Sequence, residues 1–386
     1  MSDLSHNEVT GLEGVGLWER ARNRFADWRN SLVTDKSFQE WAKSFWPTRP
    51  MVRSRQKALF DLTAGFVYSQ ILYSCVSLGL FDILKAGPCK KAELSSKIGL
   101  DLEATSLLLE AACALKLVSL RADVVRLADL GAAVVANPGI AAMVKHHEIL
   151  YRDLADPIAL LKGEIESTEL SKYWSYATSN SPDRLGRDTT DDYSHLMAVS
   201  QEMVSAEVIA AYPFHRHKKI LDVGGGEGAF LKAVAASVPS IDLTLFDLPS
   251  VAERANERMS ELGYGHRFNA YGGSFFADDL PKGADIISLV RVCYDHSDEK
   301  VAKILDRAWN ALPKGGVLLI AEPMAGISGA EAMGAAYFGF YLKAMQSGKA
   351  RTYSQLSQLV LSAGFSQVKR CSTRSPVLTS VLITHK

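Results

Sequence analysis

The chain has 386 residues, with 43 basic and 43 acidic side chains and 47% hydrophobic residues. Balanced charge gives no footprint for nucleic acid, and five scattered cysteines without a CxxC pair exclude a disulfide framework or a zinc knuckle. There is neither a basic-then-apolar leader nor an unbroken apolar run of ~18 residues, so a cytoplasmic protein of two or more domains is expected.

Residues 1–54 form an N-terminal extension with four of the six tryptophans. Trp18, Phe25, Trp28 and Leu32 recur near helical spacing, with Arg20, Arg22, Arg24 and Arg29 between them. Such a helix lies on a membrane surface or packs as an arm on its own protein or a partner subunit. Glu19, Asp27 and Asp35 dilute its charge and favour the packed arm, with peripheral membrane contact as the alternative.

Residues 55–145 read as helical and then briefly strand-like. QILYSCVSLGLFDILKAG stops at Gly87-Pro88, KKAELSSKIGL and DLEATSLLLEAACALKLVSL continue as helices, and SLRADVVRLAD makes a short ribbon. Three helices and a ribbon suggest a winged-helix-like unit. Its would-be recognition helix carries Asp101, Glu103 and Glu110, which duplex DNA would repel. Dimerisation is therefore the expected use, giving a homodimer and no nucleic-acid partner. Residues 146–210 form a helical connector expected to contribute to a substrate pocket. His146 and His147 diverge by ~100° on a helix and share no metal-binding face, so no metal is expected.

From 211 to 386 the pattern alternates. KKILDVGGG, IDLTLFDLP, ADIISLVRV and GGVLLIAEP read as buried strands, separated by AFLKAVAASV, SVAERANERMSEL and DEKVAKILDRAWNAL as helices. This is the pattern of an α/β protein with a Rossmann-like, doubly wound parallel sheet. FSQVKRCST and VLTSVLITHK have no helix between them and should return antiparallel.

LDVGGGEGAF sets Gly224, Gly226 and Gly228 between a strand and a helix, where bare backbone can meet a ligand. Asp247 ends the next strand and can accept both hydroxyls of a ribose. To this point NAD and S-adenosylmethionine fit alike. The GxGxG spacing and Asp222 ahead of it suit a cationic amino-acid ligand better than a pyrophosphate, which Asp222 would repel.

DVGGGEG, FDLP, GGSFFADDLP, VRVCYDHSDE and GKART together resemble the plant-type small-molecule O-methyltransferases that use S-adenosylmethionine. The resemblance spans roughly residues 55–386. It implies a class I methyltransferase domain behind a winged-helix dimerisation domain, with S-adenosylhomocysteine as the co-product. It places Asp222, Gly224, Gly226, Asp247, Leu248, Ser274, Phe275 and Arg291 about the cofactor. An apolar acceptor pocket would take in His147, Tyr151, Met197, Tyr337, Tyr341 and Met345.

The chain departs from the family where the chemistry lies. The family's strand end has a histidine as general base, and here that position is Tyr294, followed by Asp295 and His296. Ala350 replaces a glutamate that positions the family's histidine, Ser274 replaces an acid near adenine, and Glu322 is retained. The expected roles are Tyr294 at the acceptor oxygen, Asp295 supporting the strand end and His296 orienting it. The Tyr-Asp-His branch with LYRDLADPIALLKG is similar to the bacterial carotenoid 1-hydroxy O-methyltransferases, with chlorin C-20 and aromatic O-methyltransferases as alternatives.

Overall fold

The computed structural model describes residues 17–174, 190–376 and 378–386. The chain divides into two compact units, Met1–Ser74 and Cys75–Lys386.

In the first unit the helices Leu17–Thr34 and Lys36–Ser44 pack on one another, and Arg49–Ser77 follows and carries the chain into the second unit. Asp35 parts the first two. Its carboxylate accepts the Phe38 N–H at 2.7 Å, capping the second helix. By length and composition Arg49–Ser77 could cross a bilayer, with a mean hydropathy of 1.2 in its most apolar window, where the sequence reading expected no such segment. Ser, Gln and Tyr interrupt VYSQILYSC, so averaging finds a stretch that counting consecutive apolar residues does not.

The second unit begins with the winged-helix-like elements: helices Leu80–Lys85, Lys91–Ile98 and Leu102–Ala114, and strands β1 (Cys89–Lys90), β2 (Val118–Arg121) and β3 (Val124–Leu127) in the order β1-β3-β2. Gly79, at φ +67°, breaks the first expected helix and starts Leu80–Lys85. The helix Pro138–Asp153 runs across the border expected at residues 145 and 146.

A seven-stranded sheet follows, built from β4 (Lys219–Val223), β5 (Asp242–Asp247), β6 (Phe268–Gly272), β7 (Ile286–Val290), β8 (Val317–Glu322), β9 (Ser366–Cys371) and β10 (Ser380–His385). The order is β6-β5-β4-β7-β8-β10-β9. The first five strands pair parallel, and β10 runs antiparallel to both its neighbours. β7 and β8 are buried at every position, so they read as unbroken apolar runs. β6 escaped the sequence reading because FNAYG lies at the sheet edge and buries only Phe268.

Alternation along each strand feeds two cores. Leu221, Val223, Leu289 and Ile320 pack with helices Asp298–Ala311 and Tyr353–Ser362. Ile220, Leu243, Ile286 and Leu319 pack with Thr190–Ala211, Ala229–Ser237 and Pro249–Glu261. Strand order reverses between β4 and β7, which opens a crevice beyond their C-terminal ends, where a ligand meets such sheets.

Candidate active site

One half of the site is drawn by backbone. Gly224, Gly226 and Gly228 all have positive φ, and Gly228 starts the helix Ala229–Ser237. Asp247 closes the loop from β5, with Oδ2 accepting the Gly226 N–H at 2.8 Å and Oδ1 the Leu248 N–H at 2.7 Å. Asp222 lies beneath. Its Oδ1 accepts the Ser288 hydroxyl at 2.6 Å, while its buried Oδ2 has no hydrogen-bond partner among the described residues. A Cβ on Gly225 would meet that Oδ2 at 2.2 Å, so only glycine lets the chain pass so close. Burial, with Asp247 nearby, pushes the Asp222 carboxyl up to about 7 despite the Ser288 bond. A buried carboxylate with an open oxygen beside a bare glycine loop fits a ligand that carries an ammonium group and a ribose.

Phe275 reaches the same loop, its ring 3.7 Å from where a Gly224 Cβ would sit. The Ser274 hydroxyl instead accepts the Phe276 N–H at 3.4 Å, and its own N–H donates to Asp278 at 2.8 Å, which shapes the turn that delivers Phe275.

The strand-end turn explains the fate of Tyr294, Asp295 and His296. β7 stops at Val290. Arg291 then takes φ +60°, and Cys293–Asp295 wind into a 3₁₀ turn. Strand alternation ends there, so Tyr294 and His296 do not share a direction. Tyr294 packs with Trp174, Tyr341 and Met345. His296 is buried against Phe275 and Phe276, with ring centroids 5.7 and 5.1 Å away. Its Nδ1 has no partner among the described residues, and burial, with Lys300 and Arg351 adding to it, holds its pKa down at about 4. The structure thus puts His296 on the cofactor-side aromatics, and the expected orienting contact with Tyr294 is not among its contacts.

Other residues hold the turn. Arg351, buried, donates to the carbonyls of Cys293 and His296, each at 2.7 Å, and to Asp298 Oδ1 at 2.7 Å. The Ser347 hydroxyl donates to the Asp295 carbonyl at 2.6 Å, and the Lys349 N–H to the Tyr294 carbonyl at 2.8 Å. Gly348, at φ +82°, passes so close to that carbonyl that a Cβ would sit 2.2 Å from it. Glu322, at the end of β8, accepts the Tyr294 N–H at 3.2 Å, and its burial raises it to about 7. Asp295 is buried, and its carbonyl is one of the points by which the turn is held.

The other half of the site is drawn by side chains far apart in sequence. Arg291 donates to Ser200 Oγ at 2.8 Å, and its charge works against the burial that raises Tyr294. Its guanidinium therefore faces the connector helix and the acceptor side. The helix Pro138–Asp153 brings His146 Nε2 to the Tyr341 hydroxyl at 2.7 Å and His147 Nε2 to the Tyr337 hydroxyl at 2.7 Å. Trp174 Nε1 donates to the Tyr341 hydroxyl at 2.7 Å, so Trp174, Tyr341 and His146 meet at one hydroxyl. Burial lowers both histidines, His146 to about 4, and raises Tyr294, Tyr337 and Tyr341 well above an ordinary phenol. Tyr151 stands edge-on to His147 at 6.2 Å. Tyr337 ends a π-helical segment, Ala332–Tyr337, that runs into the helix Phe338–Ala344, and Met345 closes the group, buried. The side chain of Met197 lies outside the described residues.

A crevice at the strand-order reversal, a glycine loop over a buried carboxylate and a ribose-ready Asp247 define a class I S-adenosylmethionine-dependent methyltransferase. Residues 151–366 match the O-methyltransferase domain and residues 60–137 the O-methyltransferase dimerisation domain. The demethylspheroidene O-methyltransferase of Cereibacter sphaeroides is 42% identical over 91% of this chain and 92% of its own. That of Rhodobacter capsulatus is 41% identical over 86% and 82%. Human N-acetylserotonin methyltransferase in complex with SAM shares the fold, with a TM-score of 0.72 at 22% identity over 86% of this chain and 97% of that one. The chain belongs to the O-methyltransferase family, uses S-adenosylmethionine and carries that family's dimerisation domain, which supports a homodimer.

Sequence reasoning named His147 and Tyr337 separately as pocket residues, and their hydrogen bond to one another comes from the fold. That reasoning missed Gly225, Ser288, His146 and Arg351. Ser288 could have been found as the lone polar residue in IISLV, and Arg351 lay within the quoted GKART. Nothing local marks His146 over His147.

Proposed function

We propose that this enzyme methylates the tertiary 1-hydroxyl of an acyclic carotenoid, making a methoxy carotenoid of the spheroidene type. The observation that carries the reading is Tyr294: a buried tyrosine stands where the family keeps a basic imidazole. An imidazole base serves a phenol, which loses its proton readily, far better than an aliphatic alcohol. The names of the 42% and 41% identical relatives support the same acceptor.

When bound, S-adenosylmethionine supplies an activated sulfonium methyl group, with Asp222, the Gly224–Gly226 loop, Asp247 and Phe275 holding it. Alignment of donor and acceptor contributes up to ~7–11 kcal/mol, against about 3–5 kcal/mol from a positioned base, so a site without that base still works. The phenolic O–H of Tyr294 donates to the acceptor oxygen and holds it in line. Met345, Tyr341 and Trp174 wall the acceptor end and exclude water. Neutral His147, hydrogen-bonded to the Tyr337 hydroxyl at 2.7 Å, lines the same wall. The reading includes peripheral contact, through the N-terminal arm, with the membrane that dissolves the polyene.

Lipid extracts from cells with and without the protein, analysed by mass spectrometry, test this. The methoxy carotenoid should appear only with the protein, and its hydroxy precursor should accumulate without it. An unchanged carotenoid profile would defeat the proposal.

A further inference from the structure

We infer that one face of the helix Leu17–Thr34 lies in the surface of an anionic lipid bilayer, an inference that rests on the membrane-dissolved acceptor proposed above. An α-helix turns ~100° per residue, so Trp18, Ala21, Phe25, Trp28 and Leu32 fall on one stripe. Arg22 and Arg29 border it on one side and Arg24 on the other, while Glu19 and Asp27 lie roughly 130–150° from its middle, with Arg20 beside Asp27. A solvated helix needs no such sorting of charge, and a face buried against protein has no use for an arginine border. At a lipid interface the rings enter the headgroup boundary, the arginines extend to phosphates and the acids stay in water.

Exposure agrees. Trp18, Phe25 and Trp28 are 90%, 61% and 57% exposed, too much large aromatic surface for a helix that stays in water. The next helix adds exposed Trp41 and Phe45, with rings stacked 4.9 Å apart, and Trp46 follows. Residues 17–57 hold ten basic side chains against four acidic, in a chain with 43 of each, so this region alone is strongly cationic. Two occupants compete for the stripe, a second copy of the chain and a membrane. The dimerisation match begins at residue 60, after the stripe, and covers most of the apolar helix Arg49–Ser77. The chemistry of the stripe therefore points to lipid and that of the later helix to the second copy.

The full-length protein is sedimented with vesicles of phosphatidylglycerol and phosphatidylcholine, and with vesicles of phosphatidylcholine alone. Binding should need the anionic lipid and weaken steeply with salt. It should fall about 30-fold in Arg22→Gln/Arg29→Gln, about fivefold for each arginine. Trp18→Ala/Phe25→Ala/Trp28→Ala should abolish it while the protein remains a dimer by light scattering. Equal binding to neutral vesicles, no binding, or a monomeric triple variant would overturn the inference, the last assigning the stripe to the second copy. A transfer assay separates this from failure of the acceptor assignment. The arm variants should methylate detergent-dispersed carotenol normally and lose activity only when it is dissolved in vesicles. A wild type inactive in both formats would defeat the acceptor reading instead.

Discussion

The two halves of the active site are made of different material. Around the cofactor, the contacts run between neighbouring loops and are mostly main chain: Gly224, Gly226, Leu248 and the carboxylate of Asp247. Around the acceptor they are pairs of side chains such as His146 and Tyr341, 195 residues apart in sequence and 2.7 Å apart in space. A backbone cradle admits little variation and serves one ligand. A side-chain wall can be recut for a new acceptor without touching the cradle, and in this chain it has been recut at Tyr294 and Ala350.

The contrast is sharpest under mutation. Asp247→Ala removes the acceptor for the Gly226 and Leu248 N–H groups and, on the proposed cofactor placement, for two ribose hydroxyls. It should cost 10²–10³-fold in kcat/KM, mostly through KM for S-adenosylmethionine. A similar loss from an acceptor-side change with no effect on kcat would break the division.

Arg351→Ala acts on the turn that joins the halves. It strips hydrogen bonds from two buried carbonyls and from Asp298, and urea unfolding should show a loss of about 3 kcal/mol. Arg351→Lys should recover little, since a lysine cannot span three acceptors held in fork geometry.

On the acceptor side alone, Tyr294→Phe should lower kcat about tenfold while leaving KM for the cofactor unchanged, as expected for one lost hydrogen bond. Unchanged transfer would remove the phenolic hydroxyl from the mechanism.

The smallest effect is one of pH. His296 is held near pKa 4 against an ordinary 6.5, so between these values the unfolded chain takes up a proton that the native one refuses. Its contribution to stability is complete above about pH 6.5 and is lost as pH falls through 4. The fall from pH 7 to pH 5.5 should cost about 1 kcal/mol. His296→Phe, which keeps a ring against Phe275 and Phe276, should remove that share of the fall, while His146, also held near 4, keeps its own.

The same division decides what the sequence makes legible. The glycine loop, Asp247 and the parallel strands follow from local backbone demands and burial, and DVGGGEG and FDLP state them outright. The antiparallel return of β10 followed from the missing crossover helix. That a strand end breaks the alternation is legible, but the direction of His296 depends on Arg291 entering the left-handed region, which no spacing rule announces. Choosing between adjacent His146 and His147 needs the register of a helix against tyrosines nearly two hundred residues away, and only the folded chain supplies it.

The most direct test is competitive methyl transfer from labelled S-adenosylmethionine to a tertiary carotenol and a simple phenol, comparing wild type with Tyr294→His/Ala350→Glu. The account predicts that the wild type methylates the carotenol and leaves the phenol essentially untouched. The double variant, with base and orienter restored, should gain 10–10²-fold on the phenol. A wild type that prefers the phenol would contradict it.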